Sequence, residues 1–186
     1  MLKKNLIVVT ALVLIASVSF AQDKFYTKTG KISFLSQAPI EEIEAKNKTV
    51  TAVVDSKTGA IQFAVQMKGF EFEKQLMQQH FNENYVESDK YPKSEFKGTI
   101  TNNSAINYKK DGTYNAKVKG QLTIHGVTKD VETTGTFKIN GGKIDATSTF
   151  NVLISDYNIK IPSIVKEKVS NTIKITVDCN LEPLKS

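Results

Sequence analysis

The chain of 186 residues has one cysteine, no tryptophan, four prolines and two histidines. A lone cysteine, Cys179, excludes an intramolecular disulfide, so the fold must rest on burial and backbone pairing. Two histidines, His80 and His125, are too few for a histidine-rich metal site. The sequence holds no Gly-x-Ser-x-Gly elbow, no His-Glu-x-x-His pair and no glycine-rich phosphate loop leading into a helix. A cysteine–histidine nucleophile pair would need Cys179 to meet a distant histidine, and no local signature marks one. The basic residues are lysines, scattered along the chain rather than gathered with aromatics into a stripe, so nucleic acid is not an expected partner. The formal charge is +6, part of it from Lys3 and Lys4. The remainder reads as a solvated surface whose lysines discourage edge pairing, with weak attraction to anionic lipid as a minor alternative.

The longest apolar run, Leu6 to Val18, falls short of the roughly twenty residues that a membrane-spanning helix needs. It follows Lys3 and Lys4 and precedes Ser19-Phe20-Ala21, the basic, apolar, small-residue order of a secretory signal peptide. Residues 1–21 are therefore expected to be removed, with no cysteine nearby for lipid attachment. Residues 22–186 are then expected to form one domain, exported to the periplasm or the medium, with no stable membrane insertion.

Most of that domain alternates with period two. Ile32 and Phe34 share a face, as do Val50, Ala52 and Val54. After a turn at Asp55-Ser56-Lys57-Thr58-Gly59 come Ile61, Phe63, Val65 and Met67. Glu73 to Tyr85 breaks the alternation: Leu76, Met77, His80 and Phe81 are spaced as on a helix, and Pro92 ends any continuation. Strands resume at Ser94–Ile100. Lys109-Lys110-Asp111-Gly112 predicts a hairpin turn. Tyr114 to Ile124 alternates continuously, His125-Gly126 turns the chain, Val131–Ile139 runs to a turn at Asn140-Gly141-Gly142-Lys143, and Ile144–Ile154 follows. An irregular stretch holds Pro162 and a helical turn over Val165–Val169, and Ile173–Leu181 closes the domain.

About eight short strands with one helical interruption predict an all-β barrel or sandwich, not a nucleotide-binding α/β fold. A barrel of this size is either filled by its own side chains or holds one small ligand. Ala52, Ala64, Gly98, Ala116, Gly120 and Ala146 within the strands fit the second option, but small residues also mark tight bends. His125 reads as a turn residue rather than a proton carrier. Asp156 reads as a solvated turn carboxylate and Cys179 as a buried strand residue. His80 either meets a ligand head group at a barrel mouth or caps local backbone. Asn47-Lys48-Thr49 and Asn102-Asn103-Ser104 match the glycosylation pattern, which matters only in a eukaryotic secretory pathway.

His80-Phe81-Asn82, Tyr91-Pro92-Lys93-Ser94-Glu95-Phe96, the run from Gly120 through Thr123-Ile124-His125-Gly126-Val127-Thr128 to Val131, and Val169–Ile175 together resemble the YceI-like family. The resemblance spans nearly the whole domain. It implies a single lipocalin-like antiparallel β-barrel with a short helical segment covering it, usually periplasmic, holding a polyisoprenoid chain such as a quinone tail. The implied wall comprises Phe63, Val65, Phe81, Phe96, Leu122 and Ile124, with Met77 added from the helical cover; His80, on the same helical segment, is the candidate contact for a ligand head group. The sequence departs from the family pattern late in the chain. Ile154 stands where an arginine is frequent and Asn158 where a glycine is. The aromatic usual in the first strand is met only loosely, by Phe25 or Tyr26.

The expected function is that of an exported, non-enzymatic binder of a polyisoprenoid, quinone tail or fatty lipid, with no other cofactor and no metal. The alternatives are a packed barrel acting as a secreted interaction or stress-response module, and an enzyme acting on a lipid head group. The last requires His80, His125 and Asp156 to converge. The oligomeric state stays open, with a homodimer among the choices.

Overall fold

The structure, a computed structural model, describes residues 23–184. The signal segment expected at residues 1–21 lies outside them.

The strands are β1 (Lys24–Gln37), β2 (Glu42–Asp55), β3 (Ala60–Gln66), β4 (Phe70–Phe72), β5 (Lys93–Ile100), β6 (Gly112–Ile124), β7 (Val127–Asn140), β8 (Lys143–Leu153) and β9 (Thr172–Pro183). Eight of them close a ring in the order β1-β9-β8-β7-β6-β5-β3-β2, with β2 returning to β1, and every pairing is antiparallel. Short β4 adds to β2 at Ala45–Asn47, continuing the line of β3. Closure leaves the alternating faces inward and outward all round, which is why the period-two pattern was so regular.

Two turns follow directly from the sequence. Ile124 pairs with Val127 and Asn140 with Lys143, so His125-Gly126 and Gly141-Gly142 are two-residue hairpin loops. All four residues have positive φ, the requirement of the turn that matches strand twist. At the β2–β3 loop the Asp55 carboxylate accepts from the Lys57 and Thr58 amides, and these bonds hold it below the usual carboxylate range. The expected Asp111-Gly112 hairpin is not formed. These residues end a longer connection from Ile100, and Asp111 instead accepts from the Gly141 amide across the barrel end.

That connection closes the lower end. Ile106 and Tyr108 fold under the strands. The Tyr108 ring stacks on Phe25 at 5.9 Å and lies edge-on to Phe137 at 6.4 Å. Its hydroxyl donates to Asn103 Oδ1 at 2.7 Å, and Asn103 Nδ2 donates to the Ser56 carbonyl at 2.8 Å. Burial pushes the Tyr108 hydroxyl up to about 12. With Val54, Ile100, Ile144 and Leu181 these residues make a packed plug, so the barrel opens at one end only.

The sequence reading missed the first half of β2. Lys48 and Thr49 form a bulge that shifts the inward phase from Ile43, Ala45 and Asn47 to Val50, Ala52 and Val54. Asn47 is fully buried: its amide donates to the Gln66 carbonyl and accepts from the Thr49 amide and hydroxyl. It offers no glycosylation site, and the Asn102 amide is likewise committed, to the Asn115 carbonyl and the Lys117 amide. Gly30 sits where β1 bends. A Cβ there would stand 2.6 Å from Cys179 Sγ, so the buried thiol occupies the space that the glycine leaves.

Between β4 and β5 the expected helix forms as α1 (Gln75–His80), which widens into a π-turn over Phe81–Tyr85. No side chain caps its start. It is held instead by aromatic packing of Phe81 against Phe34, Phe70 and Phe72, with ring centroids 5.5, 5.6 and 5.1 Å away.

Candidate binding cavity

Beneath this aromatic roof lies a cavity of about 480 Å³, within the roughly 300–1,000 Å³ usual for small-molecule sites. Its existence shows in the burial pattern. Ile32, Phe34, Phe63, Phe96, Val118, Phe150 and Ile175 point inward, yet all are only half-buried, because they face internal space rather than one another. The upper interior is open and the lower interior packed, which differs from a fully filled barrel.

All eight expected site residues line this space. Phe63 and Val65 come from β3, Phe96 from β5, and Leu122 and Ile124 from β6; Met77, His80 and Phe81 come from the helical segment. Phe63 and Phe96 tilt against each other at 6.4 Å. Sequence reasoning missed the opposite wall, formed by Ile32 and Phe34 of β1, Phe150 and Val152 of β8, and Ile173 and Ile175 of β9. Their alternation was legible, but which alternating residues bordered open space was not.

The small residues divide by role. Ala116 and Ala146 lie against the cavity, whereas Ala52 belongs to the packed end and Ala64 faces outward. Gly98 and Gly120 pair across β5 and β6, and the Phe96 ring lies over both. A Cβ on Gly120 would meet the Lys97 carbonyl at 2.4 Å and the Phe96 ring at 2.7 Å. The room left by this glycine pair is thus taken by a wall residue.

The interior is apolar, and its few polar groups are mostly paired. Ser94 donates to Met67 Sδ, and Ser36 accepts from the Ser170 amide. Among the lining residues charge enters only at Glu41, Lys74 and Lys168, on the loops of the open end, and at Glu95 near the start of β5. Lys74 pairs with Glu41 at 3.2 Å, tying the start of α1 to the β1–β2 loop.

One seam of the barrel is incomplete. β7 and β8 pair only over Gly135–Asn140 and Lys143–Ser148, and the ladder ends there. The Ser148 hydroxyl donates to the Thr134 carbonyl at 2.7 Å. Above this point the irregular stretch after β8 packs in, with Tyr157 and Ile159 buried. His125 pins it. Its Nδ1 donates to the Tyr157 carbonyl at 3.1 Å, its Nε2 lies 2.6 Å from a Glu87 carboxyl oxygen, and the ring stands edge-on to Tyr91 at 4.6 Å. Asn158 adopts φ 58°, the left-handed conformation that explains why glycine is frequent at this place in the family resemblance.

His80 lies on the cavity wall, whereas neither His125 nor Asp156 borders it. The three do not converge as a head-group enzyme would require. Cys179 is fully buried in β9, and burial pushes its thiol up to about 11. Among the described residues no group of three or more histidine, cysteine or carboxylate side chains could hold a metal ion, and no helix is long and apolar enough to cross a membrane.

The pattern of the YceI-like domain matches residues 15–181. The chain belongs to the YceI-like family. No curated protein matches it. Among solved structures, a polyisoprenoid-binding domain from Saccharophagus degradans implicated in plant cell wall breakdown superposes with a TM-score of 0.77 at 12% identity, covering 87% of this chain and 99% of that one. Burkholderia cenocepacia BcnA gives a TM-score of 0.64 at 18% identity, covering 82% and 94%. A Campylobacter jejuni YceI protein gives 0.54 at 21% identity, covering 75% and 84%. At these identities the likeness is one of fold, and this YceI-like chain shares the closed eight-stranded barrel.

Proposed function

We propose that this YceI-like protein binds one long apolar molecule, a polyisoprenoid, quinone tail or fatty lipid, in the upper half of its barrel. The observation that carries the reading is the apolar cavity closed at one end and open among loops at the other. Each methylene moved from water into such a space contributes roughly 0.8 kcal/mol, so a chain of a few prenyl units binds without any polar recognition inside. Phe63, Val65, Phe96, Leu122 and Ile124 are its wall, Phe81 and Met77 its roof, and His80 stands where a head group emerges. The solved polyisoprenoid-binding relative supports the ligand class. No step of this function asks a residue to react. The basic–apolar–small order of residues 1–21 supports export.

Thermal denaturation with prenylquinones of increasing chain length tests the reading. A ligand at about one hundred times its Kd stabilises by roughly 2.7 kcal/mol, which in a domain of this size raises Tm by about 5–10 °C. The shift is expected to grow with chain length and then level off as the cavity fills. No shift with any prenyl or acyl chain would sink it.

A further inference from the structure

Five large apolar side chains stand out as exposed among the described residues, and three of them ring the cavity mouth: Ile40 at 66%, Leu76 at 62% and Ile164 at 89%. They come from three separate segments. Ile40 lies in the β1–β2 loop, Leu76 in the first turn of α1, and Ile164 on a short 3-10 turn between β8 and β9. The segments are held as one surface: the Ile40 amide donates to the Glu167 carbonyl at 3.1 Å, and Lys74 pairs with Glu41. Leu76 and Val165 also line the cavity, so the exposed tips and the apolar interior are continuous.

We infer that this rim docks on a lipid bilayer surface, an inference that rests on the apolar-ligand reading above. Single apolar tips on separate loops do not form a groove for a peptide or helix, but they suit shallow insertion into a headgroup layer. Ile164 is flanked by Lys160, Lys166 and Lys168 against a single acid, Glu167, in the stretch from Lys160 to Lys168. That balance turns the Ile164 side of the rim, rather than the sides that carry Glu41, Glu42 and Glu73, toward an anionic membrane. A bilayer is also the medium in which a long apolar ligand resides, and docking mouth-down lets it pass between membrane and barrel without crossing water.

The test is flotation of the protein, as isolated from the cells that make it and with its N-terminus read by mass spectrometry, on two kinds of vesicle. One is phosphatidylethanolamine with phosphatidylglycerol, the other phosphatidylcholine alone. The protein is expected to float with the anionic vesicles and less with the neutral ones. The double variant Ile40→Ser, Ile164→Ser, whose residues do not line the cavity, is expected to lose at least about tenfold of that affinity, the factor that roughly two buried methylenes supply. Its ligand content and circular dichroism should match wild type. No flotation of wild type, equal flotation of the variant, or self-association abolished by the variant in place of vesicle binding would overturn the docking. Vesicle binding by a protein that never carries or accepts an apolar chain would uphold docking and overturn the ligand reading instead.

Discussion

Replacing Val118 by phenylalanine separates an open interior from a packed one by the sign of a stability change. Val118 pairs with Ile100 and Thr133, points inward and borders the cavity. Phenylalanine adds four carbon atoms there. In a filled core such overpacking costs about 1–3 kcal/mol. Against an existing cavity the added carbons leave water for apolar surface at roughly 0.8 kcal/mol each, a ceiling of about 3 kcal/mol before rotamer entropy is subtracted. The variant is therefore expected to be neutral or up to about 2 kcal/mol more stable in urea unfolding of ligand-free protein, and Tm should rise by roughly 2–4 °C per kcal/mol. The same ring occupies space that a ligand chain would use. Losing contact with about two methylenes weakens binding by roughly 1.6 kcal/mol, or about fifteenfold. Stability and affinity thus move in opposite directions. A variant destabilised by more than about 1 kcal/mol that binds ligand unchanged would refute the reasoning.

Three further perturbations probe the rest of the barrel. Gly120→Ala drives a methyl into the Lys97 carbonyl and the Phe96 ring, and is expected to cost about 1–3 kcal/mol in urea unfolding, whereas neutrality would contradict the close approach of the β5 and β6 backbones at this point. The hydrogen bond from His125, aided by the nearby charges of Lys90 and His125, lowers the Glu87 carboxyl below its ordinary value of 4.5. The contribution of this contact is then present above that value and lost as pH falls through the lower folded-state value. Amide exchange across residues 154–159 should speed up in Glu87→Gln relative to wild type at neutral pH, with the two converging in acid; identical exchange at neutral pH would contradict the pinning role. Because the Cys179 thiol is raised from 9.0 to about 11, the unfolded chain ionises first and stability should decline between those pH values. Cys179→Ala should show a shallower decline, the remainder coming from groups such as Tyr108 whose hydroxyl is also raised by burial, and native protein should resist thiol reagents at pH 8 until unfolded.

How much was legible in the sequence depended on whether the signal was local. The alternation of Ile61-Phe63-Val65 or Tyr114 through Ile124 needs only a neighbour two residues away, and those strands lie where the pattern put them. The first half of β2 was hidden because a bulge reverses its phase and because the inward Asn47 reads as an exposed polar residue until its partner at Gln66 is known. Asp111-Gly112 carried a strong turn signal, but the preceding connection is recruited to plug the barrel, so the pair serves a distant loop. At the site, the motif-bearing residues pointed to one wall. The size of the space could not be read from side-chain volumes, since the Gly98–Gly120 gap is filled by Phe96 while Phe63 and Phe150 border open volume. His125 was correctly a turn residue. Its bonds to Glu87 and Tyr157 span 38 and 32 residues and left no local trace.

The central claim, that the upper barrel holds an apolar chain, is tested most directly by native mass spectrometry of the protein purified gently from a membrane-containing lysate. The account predicts one bound species of several hundred daltons, as expected for a chain filling a cavity of this class, that fragments as a prenyl or acyl chain and falls in occupancy when Val118→Phe is introduced. A clean ligand-free mass that persists after incubation with quinones and fatty acids would contradict it.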